Sequence, residues 1–295
     1  MAGTVSEPHR PSISTVTGRL KASSRFAGRY LTADFRPSPN FVILGTQRGG
    51  TTSLYRWLSM HHQFTPALRK EVHYFDRSPQ RHGTRWYRAH FPIRRPGQFT
   101  GEASPYMLFH PLAPARAAEG LPTTTRFIVS LREPAQRAIS HYSHWRRLNG
   151  WETEPLERAI ELEPERLAGE YDRVLRGEWS FNHMAYSYVA RGEYAPQLRR
   201  WFDAVGRDRI LVLESEQLCS DPATSQRVLD WLGLEPHRLP FPDINRADKP
   251  DVGSQHLIAS LQRHFEPHNR ELFELLGYEM WTDASRSAPT DRSVT

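Results

Sequence analysis

The sequence predicts an α/β fold: a single domain with a central parallel sheet flanked by helices and a P-loop-like nucleotide-binding topology. Short apolar runs bounded by turn residues alternate with segments of helical periodicity, and this alternation is typical of a parallel sheet covered on both faces. The first apolar run leads directly into a glycine-rich turn, "GTQRGGTTSL". A chain of 295 residues can bury one sizeable core, which favours a single domain with insertions over two full domains.

Buried strands are predicted where the apolar runs are short and bounded by turns. These runs are 41–44, 72–75, 99–101, 126–131 and 210–213. Leu54, Trp57 and Leu58 follow the first run at the spacing i, i+3, i+4, which predicts a helix with one buried face. A terminal helix is predicted over 254–276, with Gly277 as its C-cap.

The remainder of the chain divides into two tails, a main domain and an insertion. Residues 1–40 are predicted to be an N-terminal tail or a short surface helix, and 283–295 a C-terminal tail. The main domain is predicted over 41–282. Within it, 149–196 is charged, has helical spacing and lacks a clear strand, so we expect a helical insertion that borders a substrate cleft.

The composition narrows the function classes without choosing one. A formal net charge of +6 and a sequence pI of about 9.6 favour anionic ligands, whether nucleotides, acidic sugars or nucleic acid. The single cysteine, Cys219, excludes an internal disulfide framework and a clustered thiolate metal site. No apolar run approaches 18 residues and residues 1–40 lack a signal-peptide core, so a cytoplasmic protein is expected, although the acid-poor tail also fits a transit peptide.

The glycine-rich turn predicts an anion site. A strand that leads through such a turn into a helix directs backbone N–H groups and the positive end of the helix dipole at one anionic group. Gly49 and Gly50 let the backbone close around that group, and the hydroxyls of Thr51 and Thr52 add donors. The lysine that reaches the β- and γ-phosphates of a triphosphate is missing, and Arg48 is the nearest cation. A triphosphate ligand is therefore disfavoured, and a tight turn with no ligand is the alternative.

A second anion site is predicted in "RFIVSLREPAQRAISHYSHWRRL". Arg132 ends a strand and Ser140 lies in the helix that begins near Pro134, at the sheet edge where doubly wound proteins bind ligands. A guanidinium can hold a phosphate bidentately and a hydroxyl adds a neutral donor. The alternative is a surface or capping arginine. Together with the first loop, this segment suggests a ligand with phosphates at two points.

The helix after Pro134 is predicted to be amphipathic. Its apolar positions, which we expect to be buried, are Ala135, Ala138, Ile139, Tyr142 and Trp145. Its polar positions, which we expect on another face, are Arg137, Ser140, His141 and His144.

A candidate base lies in "RKEVHYFD". Glu71 and His73 are two residues apart in a predicted strand, so both side chains should point to the same face. A carboxylate beside an imidazole is suited to removing a proton from an acceptor hydroxyl. A solvated polar face is the alternative. Lys70 precedes the pair and is one of only three lysines in this arginine-rich chain, with Lys21 and Lys249, which favours a functional role.

These segments resemble the sulfotransferases that use 3′-phosphoadenosine 5′-phosphosulfate (PAPS), and within them the heparan sulfate and related carbohydrate branch in a bacterial form. The matching pieces, in order, are "GTQRGGTTSL", "KEVHYFD", "GEASPYMLFHP", "LREPAQRAISHY" and "HFEPHNRELFELLG". The resemblance covers roughly 41–281. It implies in-line transfer of the sulfuryl group of PAPS to a hydroxyl, or less readily an amine, of a carbohydrate, glycolipid or small molecule.

The resemblance also implies a role for each matching residue. Glu71 would be the catalytic base, His73 its neighbour and Arg48 the contact to the bridging oxygen or sulfonate. The residues implied in binding PAPS are Arg48, Gly49, Gly50, Thr51 and Thr52 at the 5′ end, Arg132 and Ser140 at the 3′-phosphate, and Arg246 and Lys249 in a closing basic loop at 245–250. Two positions depart from the family pattern: Arg48 replaces the usual lysine, and Ala103 replaces a lysine found in several heparan enzymes.

No metal is expected, because the pairs His141/His144 and His264/His268 have helical spacing but no supporting ligands in the sequence. Two other functions remain open. Interleaved arginines and aromatics at 85–99 are compatible with a non-catalytic nucleotide or nucleic-acid binder, although helix packing by Trp86, Tyr87 and Phe91 is the favoured explanation. A P-loop nucleoside kinase is disfavoured by the missing lysine. The sequence indicates neither the acceptor nor the oligomeric state.

Overall fold

The structure is a computed structural model that describes residues 25–77, 82–93, 95–236 and 254–282. Arg246, Lys249 and the predicted closing loop at 245–250 lie outside the described residues, as does the predicted C-terminal tail. No helix within the described residues is long and apolar enough to cross a membrane.

The core of the fold is a parallel sheet of four strands in the order β2-β1-β3-β4. The strands are β1 (Phe41–Gly45), β2 (Gly101–Ala103), β3 (Arg126–Leu131) and β4 (Ile210–Glu214). Phe41 is in register with Gly101 on one side and Arg126 on the other, and Phe127 is in register with Ile210. The predicted α/β class and parallel topology are confirmed.

Helices surround this sheet. They are α1 (which includes residues 25–31), α2 (Thr51–Ser59), α3 (Tyr74–Arg77), α4 (Thr84–Arg88), α5 (Ala113–Gly120), α6 (Pro134–Asn149), α7 (Leu156–Glu161), α8 (Glu163–Leu167), α9 (Glu170–Leu175), α10 (Phe181–Ala185), α11 (Tyr194–Val205), α12 (Ser215–Ser220), α13 (Pro222–Leu232) and α14 (Gln255–Leu276). Short 3₁₀ turns occur at Ala33–Phe35, Ala190–Gly192 and Arg207–Arg209.

Both faces of the sheet are buried, which is why its strands appear as continuous apolar runs. Val42 and Val129 point to a core that includes Trp201 of α11 and Leu272 of α14. Their neighbours on the opposite face, such as Ile43, pack in a second core with residues of α2 and α13. Alternate side chains of one strand therefore belong to different cores.

The prediction of a strand at 72–75 is wrong. Val72 is buried but pairs with no strand among the described residues, and the chain turns into α3 at Tyr74. The turn is at His73, whose φ of 57° is incompatible with a strand. A short apolar run can form either a strand or a buried helical turn, and periodicity does not separate the two. The strand predicted at 99–101 is also displaced, since β2 begins only at Gly101.

The terminal helix is confirmed. The Ser254 side chain accepts a hydrogen bond from the Leu257 N–H at the start of α14, and Gly277 ends the helix with a φ of 79°. Between α6 and α11, the described residues 150–193 contain helices and irregular backbone but no strand.

The predicted apolar stripe of α6 is confirmed, since all five positions are buried. The polar positions are buried as well: Arg137 and His141 are fully buried, and Ser140 is nearly so. The covering segment is the one between α6 and α11, because Arg137 donates to the Tyr188 carbonyl and His141 packs edge-on against the Tyr188 ring.

The aromatic and basic segment at 85–99 is part of the fold. Tyr87 and Phe91 are buried, and their rings lie 5.0 Å apart at a steep angle. Trp86 packs partly buried against the same core. Buried rings cannot stack on nucleic acid bases, so helix packing accounts for this segment.

Candidate functional site

A cavity opens at the carboxyl ends of β1 and β2, where parallel sheets bind ligands. It brings together residues from five separate segments. They are Gln47, Arg48, Thr51 and Thr52; Lys70, Glu71, His73 and Arg77; Pro105 and Tyr106; His144 and Trp145; and Met184 and Arg191. The predicted loop and the predicted base therefore face the same space, and α10 and the turn before α11 supply its far wall.

The glycine-rich loop is held tightly against β3. The Thr46 N–H donates to the Ser130 carbonyl at 2.8 Å, and the Ser130 hydroxyl donates to the Gly49 carbonyl at 2.6 Å. A Cβ on Gly49 would lie only 2.4 Å from the Ser130 carbonyl oxygen, so no larger residue fits there. Gly50 has a φ of 74° and caps α2, which favours glycine at that position too.

This turn aims the start of α2 at the cavity. Thr51 and Thr52 line the cavity and are the first two residues of the helix. The first N–H groups of a helix have no partner within it and carry the positive end of its dipole. Gly49 and Gly50 form the turn behind this end. The local chemistry is that of an anion site.

Arg48 joins the two predicted anion sites. Its Nε donates to the Ser140 hydroxyl at 2.9 Å, and one terminal nitrogen lies 3.5 Å from Nδ1 of His144. Burial, followed by the positive charges of Arg132 and Arg147, lowers the pKa of Arg48 to about 10. Several cations in one place repel one another, and a bound anion would relieve that repulsion.

Arg132 lies beside this cluster and does not line the cavity. Its Nε is 3.7 Å from Oε1 of Glu216, and about a third of its side chain is exposed. The Tyr194 hydroxyl donates to the Arg132 carbonyl at 2.8 Å, which fixes the backbone at the end of β3. The guanidinium is thus near Arg48, on an accessible side, with a weakly placed carboxylate partner.

A line of alternating charges runs from Lys70 into the core. Lys70 Nζ is 2.7 Å from Oε1 of Glu71, and Oε2 of Glu71 is 3.1 Å from Nε2 of His73. His73 Nδ1 is 2.9 Å from Oδ2 of Asp76, whose side chain is fully buried. Glu71 and His73 do converge, although by the turn at His73 and not by strand alternation. The sequence analysis missed Asp76, although it stands three residues after His73 in the quoted "KEVHYFD" motif.

The alternating charges shift the pKa values of Glu71 and His73 in opposite directions. Burial alone would raise the pKa of Glu71, but the hydrogen bond from His73 and the charge of Lys70 outweigh burial and lower it to about 2. Burial alone would lower the pKa of His73, but the charge of Asp76 and the hydrogen bonds to Asp76 and Glu71 raise it to about 9. Both ring nitrogens face carboxylates, so the imidazolium is the favoured form.

A buried carboxylate fixes the segment that carries Glu71. Glu102 of β2 accepts hydrogen bonds from the Tyr87 hydroxyl at 2.6 Å, the Ser104 hydroxyl at 2.7 Å and the Val72 N–H at 3.3 Å. The Ser104 hydroxyl oxygen in turn accepts the His73 N–H at 3.2 Å. This explains the "GEAS" part of the "GEASPY" motif: it positions the backbone that directly follows the candidate base.

Arg191 was also missed, because no local pattern marks it. It is fully buried, donates to the Gln47 side chain and the Met184 carbonyl at 2.8 Å, and lies 5.2 Å from the Tyr106 ring centre. Burial, and then the charge of Arg137, lowers its pKa to about 9. Gln47 belongs to the glycine-rich loop, so Arg191 extends the positive lining of the cavity.

The raised pKa of His73 predicts a pH-dependent contribution to stability. A histidine whose pKa rises from 6.5 to about 9 on folding stabilises the fold fully below pH 6.5 and loses that effect as the pH rises through 9. We expect the destabilisation caused by His73→Gln, measured by urea unfolding, to shrink between pH 6.5 and 9. Asp76→Asn should move this titration back toward pH 6.5, because Asp76 is the main cause of the rise. A destabilisation by His73→Gln that stays constant over this range would contradict the assignment.

Comparison with known proteins places the chain in a family. A model described as "Sulfotransferase domain" matches residues 38–247. Heparan sulfate glucosamine 3-O-sulfotransferase 6 of Mus musculus is 30% identical over 279 residues, which cover 84% of this chain and 75% of that protein. Bifunctional heparan sulfate N-deacetylase/N-sulfotransferase 4 of Mus musculus is 29% identical over 210 residues, covering 68% and 23%.

A solved structure agrees with these sequence relatives. The crystal structure of a sulfotransferase from Alicyclobacillus acidocaldarius superposes with a TM-score of 0.64 at 28% identity, covering 84% of this chain and 99% of that one. The matched segment includes the glycine-rich loop, the Glu71 segment and the end of β3. The chain therefore belongs to the sulfotransferase family.

Proposed function

We propose that this enzyme transfers the sulfuryl group of PAPS to a hydroxyl of a carbohydrate, glycolipid or small-molecule acceptor, with Glu71 as the base. An amine acceptor is the less favoured variant. The observation that carries the proposal is the meeting, in one cavity, of the helix end at Thr51 and Thr52, the cation Arg48 and the carboxylate Glu71. Sulfuryl transfer needs an anion cradle beside a proton acceptor.

The cradle fits the donor. Gly49 lets the loop pack against β3 and Gly50 supplies the positive φ before α2, so the first-turn N–H groups with Thr51 and Thr52 would serve as donors to a 5′-phosphate. Arg48 would contact the bridging oxygen or the sulfonate, while Arg132 and Ser140 would hold the 3′-phosphate. PAPS supplies a sulfuryl group that passes to the acceptor oxygen as its bond to the 5′-phosphate oxygen breaks.

Glu71 can serve as the base despite its low pKa. A hydroxyl that is forming a bond to sulfur becomes strongly acidic, so the proton can be taken late by a weak base. Lys70 and His73 hold the carboxylate in place and ionised. Arg48 and Arg191 add positive charge to the same cavity, where charge builds up on the leaving oxygen.

The relatives suggest where to look for the acceptor. Because the relatives named above include heparan sulfate enzymes, amino sugar polymers are the first acceptor class to test. One of these relatives is an N-sulfotransferase, so amine acceptors should be tested as well. In this chain the cavity wall is aromatic: Trp145 lines it and stacks on Trp151 at 4.7 Å. Flat aromatic side chains suit sugar faces.

The direct test is a transfer assay with sulfur-labelled PAPS and a panel of oligosaccharides, glycolipids and hydroxylated small molecules. We expect labelled product from at least one hydroxyl acceptor, and activity that persists in EDTA, because the proposed chemistry uses only side chains and backbone donors. Transfer of phosphate from ATP with strict dependence on added Mg²⁺ would instead support a kinase. Binding of oligonucleotide without any transfer would support a binding protein.

A further inference from the structure

Three side chains that could bind a metal meet on the surface between α14 and the start of α11. His264 and His268 stand one turn apart on α14, and Glu193 immediately precedes α11. The sequence shows the two histidines at helical spacing but gives no third ligand. The fold supplies one from 71 residues earlier in the chain. None of the three side chains lines the sulfotransferase cavity.

The three groups are already spaced as metal ligands. Oε1 of Glu193 lies 3.3 Å from Nε2 of His264 and 3.7 Å from Nε2 of His268, and all the ligand atoms fall within 4.8 Å of one another. Ligands at the usual 2.0–2.1 Å from a tetrahedral zinc ion lie about 3.3 Å apart. The two distances from Glu193 are therefore already close to this spacing.

The backbone beneath the cluster is tightly packed. Gly192 lies so close to α14 that an added Cβ would be 2.7 Å from the Phe265 ring and 3.1 Å from Pro134. Phe265, which follows His264, is fully buried. This packing holds Glu193 next to the two histidines, so most of the cost of assembling a site is met by the fold itself.

We propose that Glu193, His264 and His268 bind a divalent transition metal ion of the zinc class, with water completing the coordination. Two imidazoles and one carboxylate form a recurrent set for zinc and related ions and a poor one for Mg²⁺, which prefers oxygen ligands. The side chains are 32%, 43% and 30% exposed, respectively, which leaves a path for the ion and room for water.

The position of this site suggests a stabilising role. Tyr194 follows Glu193 and donates to the Arg132 carbonyl at 2.8 Å, so an ion would link α14 to the segment that supports the second anion site. The ion would link α14 to the start of α11 and would take no part in sulfuryl transfer. Removing it should therefore lower the melting temperature and leave transfer activity in place.

The test is calorimetric titration of untagged full-length protein, first treated with EDTA and desalted, with ZnCl₂ in a non-chelating buffer. We expect one site per chain, a higher melting temperature with Zn²⁺, and no comparable effect of MgCl₂. His264→Ala and His268→Ala should each weaken binding at least about 10-fold, the range seen when a contributor to a metal site is lost. Cobalt(II) should give the visible absorption of a four-coordinate ion.

The chain offers matched controls. His256 is an exposed histidine on the same helix, and His256→Ala should bind zinc as the wild type does. Glu193→Gln keeps the size of the side chain and should weaken binding, because the carboxylate is the third ligand. Equal zinc affinity in the wild type and the His264→Ala/His268→Ala variant would overturn the site. A Glu193→Gln variant with unchanged affinity would overturn the three-ligand assignment.

Discussion

Glu71→Gln should lower turnover at least about 10²-fold, the lower end for loss of a general base, while adenosine 3′,5′-bisphosphate (PAP) binds nearly as tightly as to the wild type. Glutamine keeps the shape of the side chain but cannot take a proton. The loss should fall on kcat, measured with labelled PAPS and the best acceptor, and the affinity for PAP should be measured by calorimetry.

The position of Glu71 in a line of charges adds a second expectation. In the wild type its carboxylate lies between Lys70 and His73. Glu71→Gln removes the negative charge between two positive groups, so the pKa of His73, which is raised partly by Glu71, should fall. Lys70→Met should reduce activity less than Glu71→Gln, because it leaves the base and its histidine partner in place.

A matched control separates loss of a base from a general effect of the substitution. Glu119 is an exposed glutamate on α5, and Glu119→Gln should have wild-type kinetics. If Glu71→Gln keeps most of the wild-type turnover, the proton is taken by another group and the base assignment is wrong. If it loses PAP affinity as well, Glu71 acts on the donor site and not as a base.

Sequence patterns predict the parts of this site that depend on neighbours in the chain. The glycine spacing before α2 predicts a strand, a tight turn and a helix end, because each of these follows from local backbone geometry. The helix after Pro134 and the terminal helix are predicted for the same reason. In each case the capping residue, Glu133 or Ser254, is adjacent to the helix it caps.

The remaining features depend on contacts between distant segments. Arg48 and Ser140 are 92 residues apart, and no periodicity reports that one donates to the other. The turn at His73 depends on Asp76 and on Ser104 of the next segment, which is why an apolar run with strand composition ends in a helix. Arg191 reaches the cavity only through the fold of the chain after α6.

The relative affinity of the enzyme for PAP and AMP tests the identity of the donor. AMP lacks the 3′-phosphate, so an enzyme that holds this group with Arg132 and Ser140 should bind PAP far more tightly. Two charge-assisted contacts of about 1.5–3 kcal/mol each correspond to a preference of roughly 10² to 10⁴. Competitive calorimetric titration of the wild type with both nucleotides measures it directly.

The contacts of Arg132 and Arg48 predict different losses in their variants. Arg132→Ala should lower the affinity for PAP and barely change the affinity for AMP, because Arg132 is assigned to the 3′-phosphate alone. Arg48→Ala should lower the affinity for both nucleotides, since Arg48 lies at the glycine-rich loop that is assigned to the shared 5′-phosphate. Ser140→Ala should affect both to some extent, because its hydroxyl also accepts the hydrogen bond that orients Arg48.

Glu216 supplies the sharpest control. Its carboxylate lies 3.7 Å from Arg132 and competes with a phosphate for the same guanidinium, so Glu216→Gln should leave the PAP preference intact or increase it. Loss of the acidic neighbour thus preserves or raises the preference for PAP, while loss of the arginine removes it. A merely structural role for this pair would instead weaken the binding of PAP and AMP alike. Equal affinity for PAP and AMP in the wild type, or an Arg132→Ala variant that keeps the preference, would show that the 3′-phosphate is not bound here.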